Sequence, residues 1–96
     1  MLVSYTGGPD DRFDRQYYMD RHIPMVEEAW TPLGLERVDV FFRATEEQSV
    51  VAACLCQFRD VAAMHLALAS PSTVGIMSDV ERFTNIVPTQ HIVANG

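Results

Sequence analysis

The sequence predicts an α+β fold with the element order β-α-β-β-α-β, and three observations support it. Residues 36–43 alternate between apolar and polar positions, and residues 49–58 form a longer apolar run, as strands do. Residues 15–30 instead carry an apolar stripe of helical period. Clusters of turn formers, Gly7-Gly8-Pro9 and Thr31-Pro32-Leu33-Gly34, separate these segments. The order is that of the split βαβ, or ferredoxin-like, arrangement. Right-handed crossovers then place both helices on one face of an antiparallel sheet.

Each element has a local reason. Leu2 to Thr6 is a short strand stopped by the glycine pair. Asp14 is a good N-cap for a helix from Arg15 to Trp30, because its carboxylate can accept from the first free N–H groups. Phe13 and Tyr18 occupy the two positions of a hydrophobic staple. In the strand from Glu36 to Arg43, Val38, Val40 and Phe42 share one side. Polar residues 45–48 make a turn before the strand from Ser49 to Phe58. Asp60 caps a helix from Val61 to about Ala69, and Ser70-Pro71 starts another reaching about Val80. Thr84 to Val93 closes the chain as a strand, with Pro88 marking an edge or a bulge.

A chain of 96 residues fits one domain, spanning 1–96. Seven basic against thirteen acidic residues, with no Lys/Arg cluster, argue against nucleic acid and against an anionic membrane surface as partners. The start MLVSYTGG lacks the features of a secretory signal, and no apolar run approaches bilayer length, so a cytoplasmic location is expected. Cys54 and Cys56 point to one side of their strand and read as small core residues. No histidine pair has metal-ligand spacing, so no metal site is expected, and no residue pattern calls for a cofactor.

The strand around residues 50–58 is apolar on both sides, with Val51, Ala53 and Leu55 on one and Val50, Ala52, Cys54, Cys56 and Phe58 on the other. A half-solvated strand would show polar residues on one side. The helices cover one face, and the chain has no spare element for the other. A homodimer packed through its sheet faces is the expected solution.

The helix "FDRQYYMDRHIPMVEEAW" raises the chemical question. On a helical wheel at ~100° per residue, Tyr18, His22, Met25, Val26 and Trp30 fall inside one apolar arc. Burying an imidazole without a partner costs on the order of 1–3 kcal/mol. His22 therefore requires a hydrogen-bonding group or a cavity. Pro24 cannot donate to the carbonyl of Asp20 and crowds it, so the helix is expected to bend and open space beside His22. Tyr18 lies one turn before His22, and a phenol beside an imidazole suits acid–base work on an organic substrate. Met25, Val26, Leu55 and Phe58 are the expected apolar wall, and His65 is expected near the same interior.

Phe13, Asp14, Tyr17, Tyr18, His22 and Pro24, read as F-D-x-x-Y-Y-x-x-x-H-x-P, resemble the signature of EthD-domain proteins. That family is named for a protein of bacterial ethyl tert-butyl ether degradation. The segment "IMSDVERFTNIVPTQHIV" is similar to the family's closing stretch. Where the family often shows T-D-I-E-P, this chain has Thr84, Asn85, Ile86, Val87 and Pro88, so roles for those carboxylates do not carry over. The resemblance implies a ferredoxin-like subunit of a dimeric α+β barrel, with the motif histidine facing a pocket between helices and sheet. It also implies chemistry of the ether-degradation or aromatic-polyketide type, such as oxidation, dehydration or cyclisation. The expected function is binding and transformation of a small hydrophobic organic molecule, with His22 as acid or base and Tyr18 as its partner. The alternative is a non-catalytic carrier for a hydrophobic metabolite or a haem-like ring.

Overall fold

In the computed structural model, which describes residues 1–94, four strands form one antiparallel sheet in the order β2-β3-β1-β4. The strands are β1 (Leu2–Thr6), β2 (Leu35–Phe42), β3 (Val50–Phe58) and β4 (Thr89–His91). The helices are α1 (Arg15–Tyr17) and α2 (Ile23–Trp30), joined by a helical turn over Tyr18–His22, then α3 (Val61–Ala69) and α4 (Ser72–Asp79). This is the ferredoxin-like order expected from the sequence.

The strand register assigns every side chain to a face. Val3 pairs with Cys54 and Tyr5 with Ala52, while Val38, Val40 and Phe42 pair with Cys56, Cys54 and Ala52. These residues face the helices. Leu2 and Asp39 both pair with Leu55, and Phe41 pairs with Ala53. They face the other way, where Phe41 is 56% exposed. The uncovered face thus has an apolar centre of Leu2, Phe41, Ala53 and Leu55, beside an Arg37–Asp39 ion pair at 2.8 Å.

Aromatic rings pack the helix side. Phe83 is fully buried and lies 4.6–6.2 Å, centroid to centroid, from His22, Tyr18, Phe13, Tyr5 and Tyr17. Trp30 stands on Phe58 at 5.7 Å and donates to Thr73 Oγ1 at 2.9 Å. Thr73 Oγ1 in turn donates to the carbonyl of Ala67 at 2.6 Å, so one hydroxyl ties α2, α3 and α4 together. Gly34 ends the turn after α2 with φ at 111°, and a Cβ there would come within 2.6 Å of the Ala63 Cβ. Both its conformation and its close approach require glycine.

The last strand departs from expectation. Only Thr89–His91 pairs with β1, whereas residues 84–88 do not extend it. They clamp the loop before α1 instead. Thr84 Oγ1 donates to the carbonyl of Arg12 at 2.6 Å and accepts from the Ile86 N–H at 3.0 Å. Asn85 Oδ1 accepts from the Arg12 N–H at 2.6 Å. Side chains satisfy the backbone here, so a sheet ladder is not needed, and Pro88 falls outside the strand. Among the described residues no single helix is long and apolar enough to cross a membrane.

Phe83→Ala should cost about 3–5 kcal/mol, because the ring is shared by five aromatic neighbours and the site cannot collapse around its loss. Urea unfolding followed by circular dichroism measures this, and a cost below about 1 kcal/mol would contradict the packing described.

Candidate functional site

Local physics sets the position of His22. The Asp14 carboxylate accepts from the Tyr17 N–H at 3.0 Å and starts the helix, while the Phe13 and Tyr18 rings meet edge-on at 5.2 Å. Six residues further on, Pro24 would press its ring on a preceding carbonyl in a regular helix. The distortion takes the form of a π-helical turn: the Ile23 N–H bonds back to the carbonyl of Tyr18, five residues earlier. A π-turn widens the helix by one residue, and such turns recur at functional sites. Tyr18, His22, Val26 and Trp30, each four residues apart, are all buried.

His22 is 4% exposed, and its Nδ1 lies 3.0 Å from Asp79 Oδ2. Asp79, at the end of α4, is 5% exposed. Its other oxygen, Oδ1, accepts from the Tyr17 hydroxyl at 2.8 Å and lies 3.6 Å from Arg82 Nε. An ionised carboxylate only accepts, so Nδ1 of the imidazole carries the proton and Nε2 presents a lone pair. Burial lowers the pKa of His22 and outweighs the opposing pull of Asp79, which keeps the ring neutral at pH 7. The hydrogen bond to Asp79 raises the pKa of Tyr17, which therefore stays a donor.

His22, Val26, Tyr5, Cys54, Cys56 and Met77 are among the residues around a cavity of about 30 Å³ between helix and sheet. A water needs roughly 10–15 Å³ on this measure, so the cavity holds one or two water-sized molecules. On the outer side of the helices lies an open groove of about 730 Å³, lined in part by Tyr17, Arg21, Met25, Asp79 and Arg82. Asp79 is the partition between the two spaces. It faces His22 on the inside and Tyr17 on the outside.

Two thiols and the Tyr5 ring complete the inner wall. Cys54 and Cys56 are free and buried, with their sulfurs 3.9 Å apart. The Tyr18 hydroxyl is sealed from solvent and has no hydrogen-bond partner among the described residues. Burial chiefly, with the Cys54 sulfur beside it, raises its pKa. The Cys54 pKa is lowered, chiefly by its contact with the Cys56 sulfur, against the effect of burial. The contact with Cys54, and then burial, raises the pKa of Cys56.

The structure separates the residues that the sequence grouped. Val26 shares the cavity with His22. Tyr18 stacks on the imidazole, with centroids 5.5 Å apart and planes 17° apart, but it does not hydrogen-bond to it. Met25 turns to the outer groove. Leu55 is on the opposite face of the sheet, because it neighbours Cys54 and Cys56 and strand side chains alternate. Phe58 faces the helices but packs on Trp30 at the far end. His65 is exposed on α3, whose buried stripe is Ala63, Met64 and Ala67. His91 pairs with Leu2 and so belongs to the uncovered sheet face. Among the described residues no group of three or more His, Cys, Asp or Glu is placed to hold a metal ion.

Asp79 and Tyr17 are the functional candidates that the sequence reading passed over. A signal for Asp79 was present: Thr73, Ile76 and Asp79 follow a three-residue helical spacing, which places a carboxylate on a buried stripe. A carboxylate there demands a partner.

No family model matches this chain, and no curated protein sequence matches it. Solved structures do. An EthD-like protein from Ralstonia eutropha JMP134 aligns with a TM-score of 0.77 and 25% identity, over 92% of this chain and 82% of its own. This chain is similar to that EthD-like protein. An ethyl tert-butyl ether degradation family protein from Bacillus halodurans C-125 aligns with a TM-score of 0.65 and 14% identity, over 95% of both chains. A dimeric ferredoxin-like protein of unknown function from Jannaschia sp. CCS1 aligns at 0.56 and 15%, over 94% of this chain and 96% of its own. These last two share the fold. The EthD-like motif residues have physical tasks here: Asp14 caps, Phe13 and Tyr18 staple, Tyr17 holds Asp79, and the π-turn precedes Pro24.

The depressed pKa of His22 sets a pH dependence. The unfolded chain takes up this proton near the ordinary histidine value of 6.5, and the folded chain only at lower pH. The stabilisation is therefore complete above about 6.5 and is lost as pH falls through the folded value. Urea unfolding at about pH 7.5 and about pH 5 should show lower stability at the acid end. His22→Phe should flatten that difference; an unchanged pH dependence in this variant would remove the assignment.

Proposed function

We propose that this EthD-like chain binds a small apolar organic molecule between its helices and sheet and transforms it by proton transfer at His22. The observation that carries the reading is the buried His22–Asp79 pair beside an apolar cavity. Asp79 holds Nδ1–H, which leaves Nε2 as a base, and it stabilises the imidazolium formed when Nε2 takes a proton. Tyr17 keeps the carboxylate in place from outside. Tyr18 serves as a stacked wall that orients the ring rather than as a proton donor. Val26 contributes apolar wall, and Met25 lies on the outer side of the same helix. The cavity holds only water-sized molecules as it stands, so an organic substrate enters by displacing the exposed Met77 and Gln90 side chains that border it. The likeness to the EthD-like protein from Ralstonia eutropha, at 25% identity, supports this reading.

The working unit in this proposal is a homodimer. The uncovered sheet face has an apolar centre and charged residues beside it, the usual anatomy of an interface. The Jannaschia protein of like fold is a dimeric one. Leu55→Asp should shift a dimer to monomer in light scattering, and an unchanged mass would overturn the assignment of this face.

The test of chemistry uses small apolar ethers and aromatic compounds, with product formation and melting shift measured side by side. His22→Asn should lower turnover by about 100-fold or more while ligand-induced stabilisation persists. Wild-type rate should fall as pH drops through the lowered pKa of His22, where Nε2 becomes protonated. Stabilisation without product in the wild type would identify a carrier instead, and full turnover in His22→Asn would overturn the role of the imidazole.

A further inference from the structure

We propose that the Tyr5 hydroxyl is the hydrogen-bond donor that recognises the substrate, and that the substrate is a carbonyl compound whose oxygen it holds while His22 removes a proton from the adjoining carbon. The inference rests on the organic-substrate reading above. It adds a second working group to the site and names a substrate class.

Tyr5 faces the helices from β1, opposite Ala52, and borders the cavity together with His22. Tyr17 instead lines the outer groove, and Tyr18 lies against the imidazole without bordering the cavity. Edge-on contacts with Phe13, Tyr18 and Phe83 at 5.2–5.8 Å hold the Tyr5 ring. Tyr18 and Phe83 also pack on His22, so phenol and imidazole stand on shared aromatic neighbours. The Tyr5 hydroxyl makes no hydrogen bond with any described residue, and unlike that of Tyr18 it is not sealed. Tyr5 is only 2% exposed, so the space its hydroxyl meets is the cavity it borders. A buried hydroxyl without a partner is costly, and a bound acceptor oxygen removes that cost. Burial raises its pKa, so at neutral pH it is an uncharged donor. The Cys54 and Cys56 thiols are weaker donors in contact with each other.

A neutral donor and a base around one small space fit a particular chemistry. An imidazole is too weak a base for the C–H bonds of a hydrocarbon or an ether. It suffices where a carbonyl takes up the electron pair and a donor meets the charge that develops on oxygen. The C–H bond breaks as its proton passes to His22 Nε2, a C=C bond forms, and the carbonyl π pair moves to the oxygen as an enolate. Tyr5 donates to that oxygen. The imidazolium then returns the proton to the oxygen or to another carbon. Enolisation or isomerisation results, with no oxidant, reductant or co-reactant consumed.

The experiment uses cyclohexanone and methylenecyclohexane, molecules of one shape of which only the ketone carries an acceptor oxygen. In calorimetry Tyr5→Phe should weaken cyclohexanone about tenfold and leave methylenecyclohexane within about twofold. The infrared carbonyl stretch of cyclohexanone bound to wild type should lie below its value in cyclohexane and return toward that value in Tyr5→Phe. In heavy water, wild type should exchange the α-hydrogens of cyclohexanone for deuterium, followed by NMR, and Tyr5→Phe should slow the exchange about 100-fold. Equal effects of Tyr5→Phe on both molecules would overturn the donor role. So would a carbonyl stretch at its cyclohexane value in wild type, a readout that needs no variant. Wild type that binds the ketone without exchanging it would overturn the proton removal. Failure of both molecules to bind wild type would instead overturn the organic-substrate reading, and this inference with it.

Discussion

A buried carboxylate cannot stand alone, and the site is organised around that constraint. Asp79 ends α4 inside the protein, where an unpaired charge would cost several kcal/mol. It is tolerated because His22 and Tyr17 both donate to it and Arg82 lies near its outer oxygen. These partners come from opposite ends of the chain's helical layer. The hydrogen bonds therefore fix how the first helix sits on α4, which no apolar contact could specify as sharply. The arrangement also fixes the imidazole tautomer.

The π-turn makes that interaction reachable. Four-residue spacing keeps Tyr18, His22, Val26 and Trp30 on the buried side, and the extra residue in the turn accommodates Pro24 without breaking the helix. Phe83, three residues after the turn that follows Asp79's helix begins, presses on both Tyr18 and His22. Behind it, Thr84 and Asn85 hold the loop at Arg12 through side-chain hydrogen bonds. The C-terminal segment thereby supports the start of the first helix, and so supports the histidine that this helix carries.

The cavity beside His22 is small and bounded by groups of contrasting character. Val3, Val26 and Ile76 are apolar, while an imidazole, two thiols and a phenol contribute polar atoms. It has room for one or two water-sized molecules, and Met77 and Gln90 border it. Asp79 stands between it and the outer groove.

Much of this was legible in the residues alone. Capping at Asp14 and Asp60, the staple of Phe13 with Tyr18, and strand alternation are local effects, and they determined the element order and the inward face of His22. Short-range sterics likewise determined that Pro24 would disturb the helix, though not that a π-turn would result. Tertiary structure alone decided the partner of His22, because Asp79 is 57 residues away and its approach depends on how two helices pack. It also moved Leu55 out of the site, left His65 in solvent and reduced the last strand to three residues. Those outcomes turn on register and long-range hydrogen bonds, and periodicity along the chain carries no information about either.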